Sequence, residues 1–183
     1  MENQKVILDE KAMDRAIARI SYEIIERNKG VQNLCLIGIY TRGIHLAARI
    51  ARKIQEVEGQ KIPVGWLDIT TSRDDRGDLT GYQDKTQIPF EIQEKRVVLV
   101  DDVIFTGRSV RSAIDALMKR GRPTSIQLAV LVDRGHRELP IRADFIGKNL
   151  PTSKQEQVQV QVTELDGINQ VTIWAENEKG PKC

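Results

Sequence analysis

VVLVDDVIFTG, Val97 to Gly107, sets two adjacent carboxylates behind four β-formers and ahead of a Thr-Gly-Arg-Ser turn. Four consecutive apolar residues bounded by charge predict a strand covered on both faces, as in a parallel sheet. The strand is expected to end where Asp101 and Asp102 begin, and the carboxyl end of such a strand is where ligands bind.

Working outward, the same alternation of periods recurs. Asp9 caps a predicted helix whose Met13, Ala16, Ile17, Ile20 and Ile24 share one face, with Gly30 as its stop. Leu34 to Tyr40 reads as a buried strand, followed by a helix marked by Leu46, Ala47, Ile50 and Ile54. Val64 to Thr71 gives another strand, then SRDDRGDLTGYQDKTQIP is polar and aperiodic. So long an irregular stretch inside a compact domain is disordered or functional. A helix with Val110, Ala113, Ile114 and Leu117 inward follows Val97 to Val100, and Ile126 to Val132 repeats the strand signal. The pattern predicts an α/β fold, a Rossmann-like parallel sheet flanked by helices. After Asp133 it changes: Val158 to Val162 alternates strictly and Val171 to Trp174 is strand-like, which predicts a small β-rich hood.

The chain has 183 residues, enough for one domain with a real core, and 30% of them are charged with a net charge of only +2. Any basic patch is therefore local. Cys35 and Cys183 lack the spacing of a disulfide framework or a zinc site, which suits a reducing cytoplasm. No apolar run is long enough for a signal peptide or a membrane span.

Thr106, Gly107, Arg108 and Ser109 fall between the strand and the first turn of a helix. Free backbone N–H groups, a positive dipole end and two hydroxyls converge there, which makes a phosphate cradle. Asp101 and Asp102 repel phosphate but suit hydroxyl groups or a hydrated cation on the same ligand. An Asp pair after a strand is otherwise a solubilising loop or a cap; the strand-to-helix placement favours the phosphorylated sugar. Neither G-x-x-x-x-G-K-[ST] nor a strand-following G-x-G-x-x-G occurs.

VVLVDDVIFTGRS, Val97 to Ser109, resembles the signature with which type I phosphoribosyltransferases bind 5-phosphoribosyl 1-diphosphate (PRPP). Within that superfamily, ILDEKAMDRAIARI, GIYTRGIHLAARIA and VLVDRGHRELPIRADFIGKNLPTSK resemble the bifunctional pyrimidine-operon attenuation protein and uracil phosphoribosyltransferase family, PyrR. The likeness spans almost the whole chain. Ser109 stands where Thr is usual and keeps the hydroxyl.

The resemblance implies a single phosphoribosyltransferase domain over 1–183, a hood mainly from about 134–165 and a mobile active-site loop over about 72–90. It implies uracil transfer from PRPP, giving UMP and diphosphate, with Mg²⁺ held mainly through PRPP and water. PRPP binding falls to Thr41, Arg42 and Gly43, and to Val97, Val98, Leu99, Val100, Asp101, Asp102, Val103, Ile104, Phe105, Thr106, Gly107, Arg108 and Ser109. Catalysis falls to Asp101, Asp102 and Arg42, whose fork of donors suits a diphosphate oxygen. Ser72, Arg73, Asp74 and Asp75 belong to the mobile loop, and Asp133, Arg134 and Val158 to the base pocket. The family also implies a homodimer or higher homo-oligomer that binds the leader of pyrimidine-operon messenger RNA when UMP or UTP is bound. Arg19, Arg27, His136, Arg137, Arg142 and Lys148 match its basic face, whereas Ala18 and Tyr22 stand where family regulators carry Thr and His. Two other readings share the signature: a hypoxanthine or guanine phosphoribosyltransferase, and an RNA-binding regulator without turnover.

Overall fold

A computed structural model describes residues 4–72 and 80–175. Strand β1 (Lys5–Leu8) leads into helix α1 (Glu10–Asn28), then β2 (Leu34–Ile39), α2 (Arg42–Glu58) and β3 (Val64–Leu67). After the irregular stretch come β4 (Arg96–Ile104), α3 (Arg108–Met118), β5 (Ser125–Asp133), β6 (Phe145–Asn149), β7 (Glu156–Gln161), the short α4 (Thr163–Asp166) and β8 (Gln170–Ala175). Five strands form a parallel sheet in the order β3-β2-β4-β5-β6. The quoted stretch is thus its central strand.

Residues Val97 to Val100 sit in the core on both faces of the sheet. Val98 and Val100 pack with α1 and α2, through Met13, Ile17, Leu46 and Ile50, while Val97 and Leu99 pack on the other side against Val110, Ala113 and Leu117 of α3. A strand covered on two faces needs apolar residues at every position, which is why period two is absent there. Asp9 caps α1 by accepting the Ala12 N–H at 2.8 Å, and the helix ends at Lys29, in the left-handed region, one residue before Gly30. The expected amphipathic faces of α1, α2 and α3 are the buried ones.

A three-stranded antiparallel sheet, β1-β8-β7, stands beside the parallel one. Val160, Val162 and Val171 join the core shared with α1 and α2. This sheet draws on the N-terminal Lys5–Leu8 as well as on residues beyond 155. Within 134–165, Phe145–Asn149 instead forms the outer strand of the parallel sheet, on β5. Among the described residues no helix is long and apolar enough to cross a membrane.

Candidate active site

Strand β2 is followed through α2 by β3 on one side, whereas β4 lies on its other side and leads through α3 to β5. The order reverses between β2 and β4, and beyond the carboxyl ends of two such strands an open α/β sheet leaves a crevice. The β2 ladder on β4 ends at Val100, paired with Gly38, but β5 accompanies β4 through Asp101, Val103 and Ile104. That one-sided support carries β4 four residues past the end expected at Val100. Asp101 and Asp102 therefore lie within the strand, where it borders the crevice.

Asp101 Oδ1 accepts the Asp102 N–H at 2.9 Å, and Asp102 Oδ1 accepts the Val103 N–H at 2.9 Å. Burial pushes the Asp102 carboxyl above the usual carboxylate range, against the Asp101 side chain, the Val103 N–H and the charge of Arg42. Arg42 is thus near enough to act on Asp102 electrostatically, although 60 positions separate them. Burial likewise pushes the Cys35 thiol up to about 12, which excludes it as a nucleophile at neutral pH.

The turn after β4 meets α3 at Gly107, whose φ of 93° in the left-handed region suits glycine. A cavity of about 480 Å³ opens there, lined by Asp101, Thr106, Gly107, Arg108, Ser109 and Glu138 among others. Glu138 had no signal in the sequence, yet its Oε2 accepts Arg108 Nε at 2.8 Å and its N–H donates to Thr106 O at 2.9 Å. The other crevice loop follows β2 and includes a cis peptide between Tyr40 and Thr41. Gly43 packs so closely on β4 that a Cβ would lie 2.4 Å from the Val100 oxygen. Its lack of a side chain lets the start of α2 pack directly on the backbone of β4. Arg42 donates from Nη2 to Asp166 Oδ1 at 2.9 Å, and its Nε is buried without a partner.

Helix α1 carries both a capping side chain and an acidic residue in its first turn, whereas α2 and α3 carry neither. Neither helix that begins at the crevice offsets its positive end with an acidic residue in its own first turn. Such ends hold anions.

The phosphoribosyl transferase domain family matches residues 3–166. A bifunctional protein PyrR from Acetivibrio thermocellus is 59% identical over 182 residues, 98% of each chain. Bifunctional protein PyrR 2 from Lactiplantibacillus plantarum is 57% identical over 93% of this chain and 98% of that protein. The chain belongs to the PyrR family of phosphoribosyltransferases. Solved structures share its fold at low identity. The hypoxanthine phosphoribosyltransferase of Trypanosoma cruzi superposes with a TM-score of 0.72 at 16% identity, over 93% of this chain and 96% of that one. A hypoxanthine-guanine phosphoribosyltransferase from Bacillus anthracis gives 0.70 at 17%, over 92% and 96%.

The remaining residues expected from the PyrR resemblance separate into distinct places. Asp133 ends β5, where its carboxylate accepts Arg137 Nη2 at 2.5 Å and the Gly135 N–H at 3.0 Å. Arg137 also donates to the Phe105 and Ile141 carbonyls at 2.8 and 2.9 Å, so its guanidinium ties the loop after β5 to the loop after β4. Arg134 is buried, stacked 4.1 Å over the Phe105 ring, and donates to the Ser153 carbonyl at 3.2 Å. Burial lowers the pKa of that guanidinium. His136 meets Thr152 O at 2.5 Å, which requires the proton on Nε2. Val158 is half-buried on β7, against the core shared with α1 and α2.

Three of the six basic residues lie on α1 and the outer strand β6, and Arg142 precedes that strand. Arg19 donates to the Gly147 carbonyl, and Arg27 pairs with Asp144 at 3.0 Å. Arg142 and Lys148 make no side-chain hydrogen bond or ion pair among the described residues. Ser72 closes a single 3₁₀ turn, whereas Arg73, Asp74 and Asp75 lie outside the described residues. Asp68, which the sequence did not single out, gathers Thr70 N at 2.9 Å, the Tyr82 hydroxyl and Lys85 N at 3.2 Å from either side of that segment. Despite desolvation, the bonds from Thr70 and Tyr82 hold its carboxyl below the usual range.

Proposed function

We propose that the chain transfers phosphoribose from PRPP to uracil, giving UMP and diphosphate, and that it also binds pyrimidine-operon leader RNA under control of UMP or UTP. The observation that carries the enzymatic reading is the pair of helix starts at one crevice, neither with an acidic residue in its own first turn, with Asp101 and Asp102 on β4 beside them. One end suits the 5-phosphate, at Thr106 to Ser109. The other suits the diphosphate, at Thr41 to Gly43, where the orphaned Arg42 Nε is a donor that a diphosphate oxygen would satisfy. Asp101 and Asp102 accept from the ribose hydroxyls.

Departure of diphosphate leaves positive character on the ribose ring, so catalysis rests on positioning and charge rather than on a protein nucleophile. The two carboxylates lie beside the developing cation, and Arg42 takes up charge on the leaving group. Mg²⁺ would be held mainly through PRPP and water, beside Asp101 and Asp102, and would neutralise diphosphate charge there. The base pocket is assigned to the region of Asp133, Arg134 and Val158, with Asp133 and Arg134 shaping its walls through their fixed contacts. The segment over about 72–90 is assigned as the loop that covers PRPP, and the protein is assigned to the cytoplasm.

With PRPP and Mg²⁺, uracil is expected to yield UMP while hypoxanthine and guanine remain unchanged, as read by chromatography of the products. Turnover of a purine base with none of uracil reverses the substrate assignment.

The RNA reading rests on the basic residues of α1, of β6 and of the segment that precedes β6. Arg142 and Lys148 carry no internal duty, so Arg142→Ala and Lys148→Ala are expected to weaken leader RNA binding and to reduce its salt slope by about 1 per charge removed. Uracil transfer is expected to persist in both. Binding that ignores both RNA sequence and UMP would leave an enzyme with a mildly basic face.

A further inference from the structure

Arg42 lies at the start of α2, but what fixes its guanidinium comes from outside the parallel sheet. Nη2 donates to Asp166 Oδ1 at 2.9 Å. Asp166 is itself fixed: Oδ2 accepts the Val162 N–H at 2.9 Å, and its own N–H donates to Val162 O at 2.7 Å. The side chains of Arg42 and Asp166 are only 29% and 17% exposed, so the pair is better shielded than a surface ion pair. Desolvation opposes ionisation of Asp166, yet the Val162 N–H and the guanidinium hold its carboxyl below the usual range and keep it charged.

A second pair runs alongside. Arg49, two turns along α2, gives Nε to Glu164 Oε1 at 3.0 Å and Nη2 to Asn169 Oδ1 at 2.7 Å. The segment around α4 therefore grips α2 at two points, of which only the first lies at the crevice.

A long arginine side chain forfeits rotamer freedom when it binds a ligand, and a carboxylate that already holds one nitrogen removes part of that loss. With Nη2 occupied, the buried Nε remains unsatisfied. We infer that Asp166 is a positioning residue, which holds Arg42 through Nη2 so that its other donors stay set for the diphosphate of PRPP. This rests on the assignment of Thr41 to Gly43 as the diphosphate loop.

Asp166→Asn tests it in the full chain. A carboxylate serves both Arg42 and the Val162 N–H, whereas the amide has a single acceptor oxygen and sets an NH₂ against one of the two donors. The expected result is about tenfold weaker binding of inorganic diphosphate and a matching rise in KM for PRPP. UMP affinity and KM for uracil should stay near wild type, while the melting temperature falls by a few degrees with the loss of a carboxylate that the fold keeps charged. Glu164→Gln, which loosens the other pair, should leave diphosphate affinity unchanged. Combined with Arg42→Ala, Asp166→Asn should add no further loss of diphosphate binding, because both act on one guanidinium. Unchanged or tighter diphosphate binding in Asp166→Asn, with Arg42→Ala still weakened, overturns the inference alone. Parallel loss of UMP and diphosphate binding also overturns it, in favour of a purely structural pair. If Arg42→Ala itself binds diphosphate normally, the loop assignment fails first.

Discussion

Asp102→Asn is expected to lower uracil turnover by about a hundredfold or more, the scale of removing one preorganised electrostatic group, while stabilising the folded protein at neutral pH. Both effects follow from one carboxylate. Burial raises its pKa in the folded chain, so the native state holds a proton through a pH range where the unfolded chain has lost it. Wild-type stability is then greatest, for this group, below the ordinary Asp range near 4, and declines as pH rises through the raised folded value. Asn stays neutral, and its oxygen can still accept the Val103 N–H now held by Asp102 Oδ1. The variant should match the wild type in acid and exceed it at neutral pH, in denaturant unfolding followed across that range. What it loses is the charge that faces the ribose and the cation developing there. A variant that unfolds more readily at neutral pH yet keeps full specific activity would place Asp102 in the structural frame instead.

The fold was legible where burial dictates pattern. Four apolar residues at Val97 to Val100 are what a strand between two helical layers requires, and Asp9 with its apolar stripe left little choice for α1. The strand β1 escaped notice because four residues give almost no periodicity, and its partner β8 lies more than 160 positions away. Phe145–Asn149 reads FIGKN, and Gly, Lys and Asn hide an outer strand whose exposed side tolerates polar residues. At the site, motifs gave the two loops but not their supports. Nothing in a sequence tells a solvated arginine from one whose fork is spent on carbonyls, so the bracing of the loops by Arg134 and Arg137 was not legible. Asp166 and Glu138 were hidden for the converse reason. Each acquires its partner, Arg42 or Arg108, only through tertiary packing.

Gly43→Ala is expected to remove PRPP turnover altogether and to destabilise the fold by about 3 kcal/mol, the upper end for overpacking, because the obstacle is backbone rather than a side chain that can turn away. The new Cβ would lie 2.4 Å from the Val100 oxygen, and the Gly38 position is just as close to the Gly43 carbonyl oxygen at 2.4 Å. The start of α2 is thus pressed against both its own strand β2 and the neighbouring β4 without room for a methyl group. Val100 immediately precedes Asp101, and Arg42 immediately precedes Gly43. Any shift that relieves the clash separates the two halves of the crevice, which together must hold the 5-phosphate, the ribose and the diphosphate of one ligand. Misplacement by about 1 Å is enough to cost two orders of magnitude in rate. Gly107→Ala offers the contrast, since the nearest atoms to its Cβ would be 3.6 Å away and its restriction comes from a φ of 93°. That variant should lose stability by only about 1–2 kcal/mol, the penalty of a left-handed residue, and keep measurable turnover. Thermal melts and PRPP titrations of the two variants decide the matter; a folded, active Gly43→Ala would show that the loops do not need the spacing seen between β2 and β4.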